Sequence, residues 1–227
     1  MIDKLTVTTV CSVHHNQKRP TYSKMWVDRL YAGIKRNLDI PFEFVCFSND
    51  IQSDEYRIEP LTTNSWGWWN KLEQFKRGLF TGPVLSLDLD IVICKNLTDG
   101  LNSLPRNKLL MVKEPHQFRP GEYIENSSVV FWDGDYSFLF DNFVANKDAI
   151  CEQYASPLNK RMSDQGYIAE SVDVEMIDDY LPSNYIAWKH HITGDHNIDN
   201  DPTLLIFTST EKPTNNSHLK LVKENWI

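Results

Sequence analysis

Apolar and polar positions in the first half of the chain follow two alternating patterns. Short runs rich in β-branched residues predict strands buried on both faces. Longer segments with apolar residues three or four positions apart predict amphipathic helices. In chain order these are a strand at 5–13, a helix at 22–37 with Thr21 as its N-cap, strands at 42–47 and 56–61, a helix at 66–80 and a strand at 84–94. This alternation favours a parallel, doubly wound α/β sheet.

The pattern in the second half is less regular. Strands are predicted at 109–112, 127–132 and 204–208, and helices at 138–154 and from 164 to 170. Strands and helices in mixed order predict that the sheet gains antiparallel members on one edge. No repeat or long linker interrupts the chain, and 227 residues suit a single domain, 1–227.

Composition narrows the range of partners. The net charge is −8 and no basic stripe is present, so binding to nucleic acid or to an anionic membrane is not expected. No apolar run approaches the length of a transmembrane helix, and no secretion signal precedes the first strand. The four cysteines are separated widely and favour free buried thiols in a reducing compartment. A cytoplasmic location is therefore expected.

Two carboxylates interrupt the most apolar predicted strand. Asp88 and Asp90 flank Leu89 inside the run 84–94, and residues i and i+2 of a strand point to the same side. A hard divalent cation, Mg²⁺ or Mn²⁺, offsets the cost of burying two like charges. At the carboxyl end of a central strand such a metal can neutralise a departing diphosphate. The competing interpretation is a chance motif, because most such pairs lie in surface loops or helix caps.

Longer stretches of the sequence resemble a known family. The segments 66–75, 84–93, 126–132, 163–165 and 181–188 follow the order and spacing of the small DxD glycosyltransferases of bacteria and their phages, which are similar to the galactosyltransferase-like members of glycosyltransferase family 8. The resemblance implies the GT-A fold, a Rossmann-like, mixed but mostly parallel sheet flanked by helices. It divides the domain into a nucleotide-binding half, 1–95, and a half for the donor sugar and acceptor, 96–227.

The resemblance also implies roles for individual residues. It implies transfer of a hexose from a nucleotide-diphosphate sugar, with a UDP-sugar favoured, to a glycan or other hydroxyl acceptor. The candidates are Asp88 and Asp90 for the metal; Asp88, Asp164 and Gln165 for catalysis; and Cys11, Ser12, Lys71, Asp88, Leu89, Asn126, Ser128 and Lys212 for the donor. Three of them have a plainer alternative: Lys71 as a solvated helix residue, Asn126 as a turn cap and Asp164 as a helix N-cap. The tryptophans at 66, 68 and 69 are either core anchors or sugar platforms.

One departure from the family pattern affects the expected metal site. Relatives carry His-Gly before a basic residue and proline, and that histidine is a metal ligand. Here Thr208 and Ser209 stand in those places, although Lys212 and Pro213 follow. His190, His191 or His196 is a candidate substitute.

Three functions therefore stay open. The first is the metal-dependent glycosyltransferase. The second is a non-catalytic member that binds a nucleotide-sugar or glycan. The third is a nucleotidyltransferase, which the glycine-free loop at 14–20 disfavours.

Overall fold

The computed structural model describes residues 1–12, 22–63, 65–116, 121–155, 162–191 and 194–227. The strands are β1 Leu5–Val10, β2 Phe42–Phe47, β3 Arg57–Glu59, β4 Val84–Leu87, β5 Ile91–Ile93, β6 Leu109–Pro115, β7 Tyr123–Trp132, β8 Glu175–Met176, β9 Ile186–His190, β10 Gly194–His196 and β11 Leu204–Phe207. The α-helices are α1 Lys24–Asn37, α2 Thr98–Ser103, α3 Ser137–Ala145, α4 Lys147–Gln153, α5 Ser163–Ser171 and α6 Lys220–Asn225. Four 3₁₀ helices span Gly67–Phe75, Ile177–Asp179, Ile198–Asn200 and Pro213–Asn215.

The strands form two sheets within the described residues. The larger one has seven strands in the order β3-β2-β1-β4-β7-β6-β8, and the smaller one has four in the order β10-β9-β11-β5. Strands β1 to β4 are parallel, as predicted. In the large sheet only β7 runs antiparallel to its neighbours, and it lies inside the sheet rather than at an edge. The predicted position of the antiparallel members was therefore wrong, because β6 and β8 continue in the direction of β4.

The run predicted as one strand at 84–94 divides between the two sheets. β4 pairs with β1 and β7, whereas β5 pairs antiparallel with β11. Asp88 and Asp90 lie in the turn between them, so the prediction that they share one side of a strand is wrong. The turn forms because the apolar residues on its two sides belong to different sheets. Leu89, which is 3% exposed, packs into the core, and the carboxylates leave the ladder.

Three other predicted elements differ in extent. The segment predicted as a helix at 66–80 is a 3₁₀ helix that ends at Phe75, and two glycines with positive φ, Gly78 and Gly82, follow it. The helix predicted at 138–154 is broken at Asn146 into α3 and α4. The predicted strand at 5–13 ends at Val10; its last residue, the loop at 14–20 and the N-cap Thr21 lie outside the described residues. Ser23 occupies the N-cap position of α1.

Apolar side chains cover both faces of the large sheet. On one face α1 and the small sheet, to which β5 belongs, form a buried cluster with β1 and β2. On the other face the 3₁₀ helix Gly67–Phe75 packs with α3 and α5. There Trp69, only 1% exposed, stacks on Phe143 with ring centroids 5.4 Å apart. Within the described residues, no helix has the combination of length and apolar character that crossing a bilayer requires.

Candidate active site

Four polar side chains form a connected chain where β4 and β7 meet the 3₁₀ helix Gly67–Phe75. Lys71 Nζ lies 2.6 Å from Asp88 Oδ1. The same ammonium donates to Ser127 Oγ at 3.1 Å and to the Ser127 carbonyl at 3.3 Å. Ser127 Oγ in turn donates to Asp164 Oδ2 at 2.6 Å. Asp88, Lys71, Ser127 and Asp164 are thus linked without a gap, although they come from four separate segments.

The helix geometry explains why Lys71 faces this chain. A 3₁₀ helix has three residues per turn, so side chains at i and i+3 lie above one another. Lys71 is therefore aligned with Gln74, whose Oε1 accepts from Ser86 Oγ on β4 at 2.9 Å. Gln74 anchors the helix over β4, and Lys71 reaches the strand's end one turn earlier.

An irregularity in β7 places Ser127. Met111 of β6 pairs with Val130, but the next β6 residue, Val112, pairs with Asn126. Between these two pairs β7 therefore has three residues that have no partner in β6. Such bulges re-aim side chains locally, and this one turns Ser127 towards Lys71 and Asp164.

A second ion pair holds the other carboxylate of the turn. Lys212 Nζ donates to Asp90 Oδ2, and Tyr22 Oη donates to the same oxygen at 2.9 Å. Asp90 and Lys212 are 4% and 8% exposed, so both charges are buried. Asn215 Oδ1 accepts from the Lys212 backbone N–H at 2.8 Å and fixes the turn that presents the lysine. Each DxD carboxylate is thus matched by a lysine from elsewhere in the chain.

The charges of this cluster alter its titration. Burial by itself lowers the pKa of Lys71, but Asp88, Asp164 and Asp90 more than offset this, and the pKa of Lys71 is raised. Burial raises the pKa of Asp164, against the opposing influence of Lys71 and the Ser127 hydrogen bond. The pKa of Tyr22 is raised by burial and then by Asp90. Lys71 therefore stays cationic, and the proton affinity of Asp164 is enhanced for a carboxylate.

The turn supplies only some of the ligands that a metal ion needs. Mg²⁺-like ions are commonly bound by one or two carboxylates together with substrate phosphates, and Asp88 and Asp90 fit that arrangement. Where the described residues are concerned, no three His, Cys, Asp or Glu side chains gather into a metal-holding group. The residues thus fit a cation shared with a diphosphate, and they do not form a closed cage.

Thr208 and the candidate histidines contact other partners. Thr208 Oγ1 lies 3.1 Å from His190 Nδ1 and joins β11 to β9. The His190 ring is edge-on to His196, with centroids 5.3 Å apart. His191 Nδ1 lies 3.5 Å from Glu211. None of the three histidines joins Asp88 and Asp90 in a three-ligand group.

Two expected donor-sugar residues brace the sheet. Asn126 Nδ2 donates to Glu114 Oε2 at 2.6 Å, and its Oδ1 accepts from the Ser128 N–H at 2.7 Å. The Ser128 carbonyl accepts from the Asp88 N–H at 2.9 Å. Asn126 and Ser128 therefore position the turn that carries Asp88. Their contact with a donor sugar stays a prediction.

The remaining candidates have mixed surroundings. The Cys11 N–H donates to the Phe47 carbonyl at 2.9 Å, and burial raises the pKa of its thiol to about 12. Contact of the Cys11 backbone with a nucleotide stays a prediction. Ser12 is half-buried at the end of its described segment, and Gln165 is half-buried beside Asp164. The Leu89 side chain lies in the core, so only its backbone can face a donor.

Sequence reasoning missed Ser127 and Tyr22 as members of the site. Ser127 lies between two residues that were considered, Asn126 and Ser128, and simple strand alternation places it on the other face from them. Only the bulge in β7 reverses this. Tyr22 was assigned to the first turn of a helix, and its bond to Asp90 depends on the tertiary arrangement.

Comparison with known proteins supports the fold. Neither a protein-family model nor a curated protein sequence matches this chain. Among solved structures, it is similar to the galactosyltransferase LgtC in complex with donor and acceptor sugar analogs, at 11% identity and a TM-score of 0.62 over 97% of this chain and 96% of that chain. It is also similar to GlyE of Streptococcus pneumoniae TIGR4, at 13% identity and 0.62, and to the bifunctional glycosyltransferase WbbM, at 12% and 0.61.

The matches extend over nearly all of this chain but over only part of two of the solved chains. This chain is covered to 97% by the GlyE match and to 93% by the WbbM match, but it spans only 58% and 47% of those two chains. The mixed α/β sheet flanked by helices is therefore the fold of these glycosyltransferases.

Proposed function

We propose that this chain is a glycosyltransferase that moves a hexose from a nucleotide-diphosphate sugar, with a UDP-sugar favoured, to a hydroxyl of a glycan or other acceptor. The observation that carries the proposal is the turn between β4 and β5. Its two carboxylates are each paired with a buried or half-buried lysine, Lys71 or Lys212, and Asp164 lies one serine away from Lys71. This arrangement stands at the carboxyl end of β4, where open α/β sheets bind ligands.

In the proposed reaction the acceptor oxygen forms a bond to the anomeric carbon, and the bond from that carbon to the diphosphate breaks. The acceptor proton leaves to a base, and a nucleoside diphosphate departs. Lys71 and Lys212 offset the charge that develops on the diphosphate. Asp164 orients the transferred sugar and the acceptor hydroxyl in its ionised form, and its raised pKa suits a carboxylate that takes up the acceptor proton. Gln165 follows Asp164 on α5 and offers an amide to the same sugar.

Asp88 and Asp90 would hold Mn²⁺ or Mg²⁺ together with the diphosphate oxygens. When bound, the metal supplies Lewis-acid stabilisation of the leaving group. Backbone groups at Cys11, Ser12 and Leu89 and the side chains of Asn126 and Ser128 are proposed to face the donor. A cytoplasmic location is part of the proposal, because free thiols are typical of a reducing compartment.

A non-catalytic nucleotide-sugar or glycan binder is the second candidate. Thr208 favours it, because this residue stands in the place of the family's metal-ligating histidine and bonds to His190 instead. Donor hydrolysis or transfer above background excludes this candidate.

The thermal unfolding temperature measured with a panel of nucleotides tests the proposal, with and without Mn²⁺. A ligand that binds only the native state raises this temperature by mass action. We expect a metal-dependent shift with UDP that Asp90→Asn abolishes and that Asp141→Asn, a control at an exposed carboxylate, preserves. If no nucleoside diphosphate produces a shift at saturating metal, the proposed activity fails and only the shared fold stands.

A further inference from the structure

Two neighbouring tryptophans lie at the start of the helix that carries Lys71. Trp66 is 59% exposed, and its ring centroid lies 5.1 Å from that of Trp68, with the planes tilted by 58°. Trp68 is half-buried, whereas Trp69 is fully buried against Phe143. Trp68 packs against the buried cluster beneath it and supports the exposed ring of Trp66. A tryptophan ring held in this way offers a rigid apolar face on which a ligand can stack.

The chain direction places this pair at the same edge of the sheet as the candidate site. β3 and β4 run parallel, and the 3₁₀ helix Gly67–Phe75 connects them. The chain leaves β3 at its carboxyl end and must return to the amino end of β4. The first residues of the helix therefore lie at the carboxyl edge, where Asp88 also lies.

The helix period aligns the pair with Lys71. Trp68 and Lys71 are three residues apart, so they share one face of the 3₁₀ helix. With a rise of about 2 Å per residue, Trp68 is displaced by about 6 Å along the axis from Lys71. Lys71 already reaches the end of β4. Trp68, with Trp66 packed on it, thus lies one helical turn beyond Lys71, past the end of β4.

The residues that bond to Asp90 and the helix that carries the pair lie on different faces of the large sheet. Tyr22 donates to Asp90 and packs against the cluster that α1 forms with the small sheet. Trp68 packs against the cluster on the other face, and Lys71 of the same helix pairs with Asp88.

Thr62 and Thr63, which precede the pair in the chain, are held by a buried carboxylate. Glu73 Oε1 accepts from the N–H groups of Thr62 at 2.9 Å and Thr63 at 2.6 Å, and Glu73 Oε2 accepts from Thr62 Oγ1 at 3.0 Å. Lys147 Nζ donates to the Thr63 carbonyl at 2.9 Å. These bonds tie Thr62 and Thr63 to Glu73 of the helix that carries Trp68.

We propose that the Trp66–Trp68 pair is the acceptor subsite and that its ligand is a pyranose, whose apolar C–H face stacks on the indole rings. This inference rests on the proposed glycosyl transfer. Aromatic rings offer a rigid apolar face with a negative quadrupole, which matches the C–H bonds of a sugar ring. A sugar seated there directs its hydroxyl edge towards Asp88 and Asp164.

The test measures saturation-transfer NMR from the protein to methyl glycosides of glucose, galactose, mannose and N-acetylglucosamine, with UDP and Mn²⁺ present. We expect wild-type protein to saturate the ring protons of at least one glycoside. Trp66→Ala should weaken that binding by about tenfold, equivalent to about 1.4 kcal/mol, and Trp66→Phe should restore part of it. Phe138→Ala is the matched control, because Phe138 is also an exposed aromatic residue, at 46%. It lies at the opposite edge of the sheet, since it follows Trp132, which pairs with Val84 at the start of β4.

Three results would overturn the acceptor subsite: no glycoside bound by the wild type, equal binding by Trp66→Ala, or equal loss in Phe138→Ala. A weakened UDP-induced thermal shift in Trp66→Ala would assign the pair to the nucleobase instead. The UDP shift of the wild type separates the two proposals. If it is present while glycoside binding ignores Trp66, only the acceptor assignment fails.

Discussion

Lys71 and Asp88 form an ion pair, with Nζ 2.6 Å from Oδ1. The half-buried ammonium of Lys71 thus neutralises a carboxylate that is expected to bind a metal. Lys212 likewise pairs with the carboxylate of Asp90. The two lysines thus provide the charge compensation that a divalent ion would otherwise supply. On the proposed function, a metal would compete with each lysine for these oxygens until a diphosphate offered the lysines another partner.

This competition predicts that removing either lysine strengthens the binding of metal alone. Lys71→Met and Lys212→Met should each raise Mn²⁺ affinity without nucleotide by about tenfold, because a cation a few ångströms away no longer opposes the ion. Both variants should weaken UDP binding in the presence of Mn²⁺. The free Mn²⁺ signal in electron paramagnetic resonance measures the first effect.

Lys108→Met is the control, since Lys108 pairs with Glu175 at the other end of the sheet. Unchanged Mn²⁺ affinity in both site variants would show that the lysines do not compete with metal.

Adjacent serines allow a matched comparison on β7. Ser127→Ala breaks the link between Lys71 and Asp164 and should lower transfer about tenfold or more, since it removes a hydrogen bond to a buried charged group. Ser128→Ala should lower transfer less, because the two hydrogen bonds by which Ser128 holds the turn are made by its backbone and only the proposed donor contact is lost. The pH–rate profile distinguishes positioning from simple damage: without the Ser127 bond, the acid limb should move to higher pH.

Ser127→Thr keeps the hydroxyl and should recover part of the rate. If Ser128→Ala is the more damaging variant, the donor sugar contacts Ser128 as the family resemblance implies.

His190 predicts a loss of stability in acid. Burial, followed by the influence of His196, lowers the pKa of His190 to about 4 from an ordinary value of 6.5. The unfolded chain therefore binds a proton between these values and the folded chain does not. The contribution of neutral His190 to the free energy of unfolding is fully present above pH 6.5. It is lost as the pH falls towards 4, by up to about 3 kcal/mol.

Urea unfolding at several pH values measures the effect. In His190→Phe the decline between pH 6.5 and 4 should be smaller, whereas His218→Gln, at an exposed site, should follow the wild type. Parallel curves for wild type and His190→Phe would contradict the assignment.

Glu73 predicts a second stability effect at a buried carboxylate. Its side chain is 0% exposed, yet hydrogen bonds from Lys76 and Thr63 outweigh the effect of burial and lower the pKa of Glu73. Glu73→Gln leaves the Lys76 ammonium without its anionic partner and should cost about 2 kcal/mol. Its stabilising contribution exists above the ordinary carboxylate pKa and declines as the pH falls below it.

Urea denaturation at neutral pH checks the Glu73 value. Glu43→Gln, which alters surface ion pairs only, should change stability by less than about 0.5 kcal/mol. Equal effects for the two variants would show that the buried bonds add nothing.

Local sequence was sufficient for most strands and for the class of the fold. β2 matches its predicted bounds, and β1, β3 and β11 lie within theirs, because period and β-branched composition reflect burial directly. The same signal failed at 84–94, where apolar residues continue without a break although the chain changes sheets. Hydrophobicity records that a residue is buried, but it does not record which partner buries it.

The candidate site shows the same division. The sequence by itself determined that Asp88 and Asp90 were candidates, because two carboxylates interrupt an apolar run, and its resemblance to a glycosyltransferase family added Lys71, Asp164 and Lys212. Only the tertiary structure decided their partners: Lys71 with Asp88, Lys212 with Asp90, and Ser127 between Lys71 and Asp164. These contacts join segments far apart in the chain, and they depend on the register of β7 and on the 3₁₀ geometry. Residue type sets which chemistry is available, whereas distance and direction are properties of the packed fold.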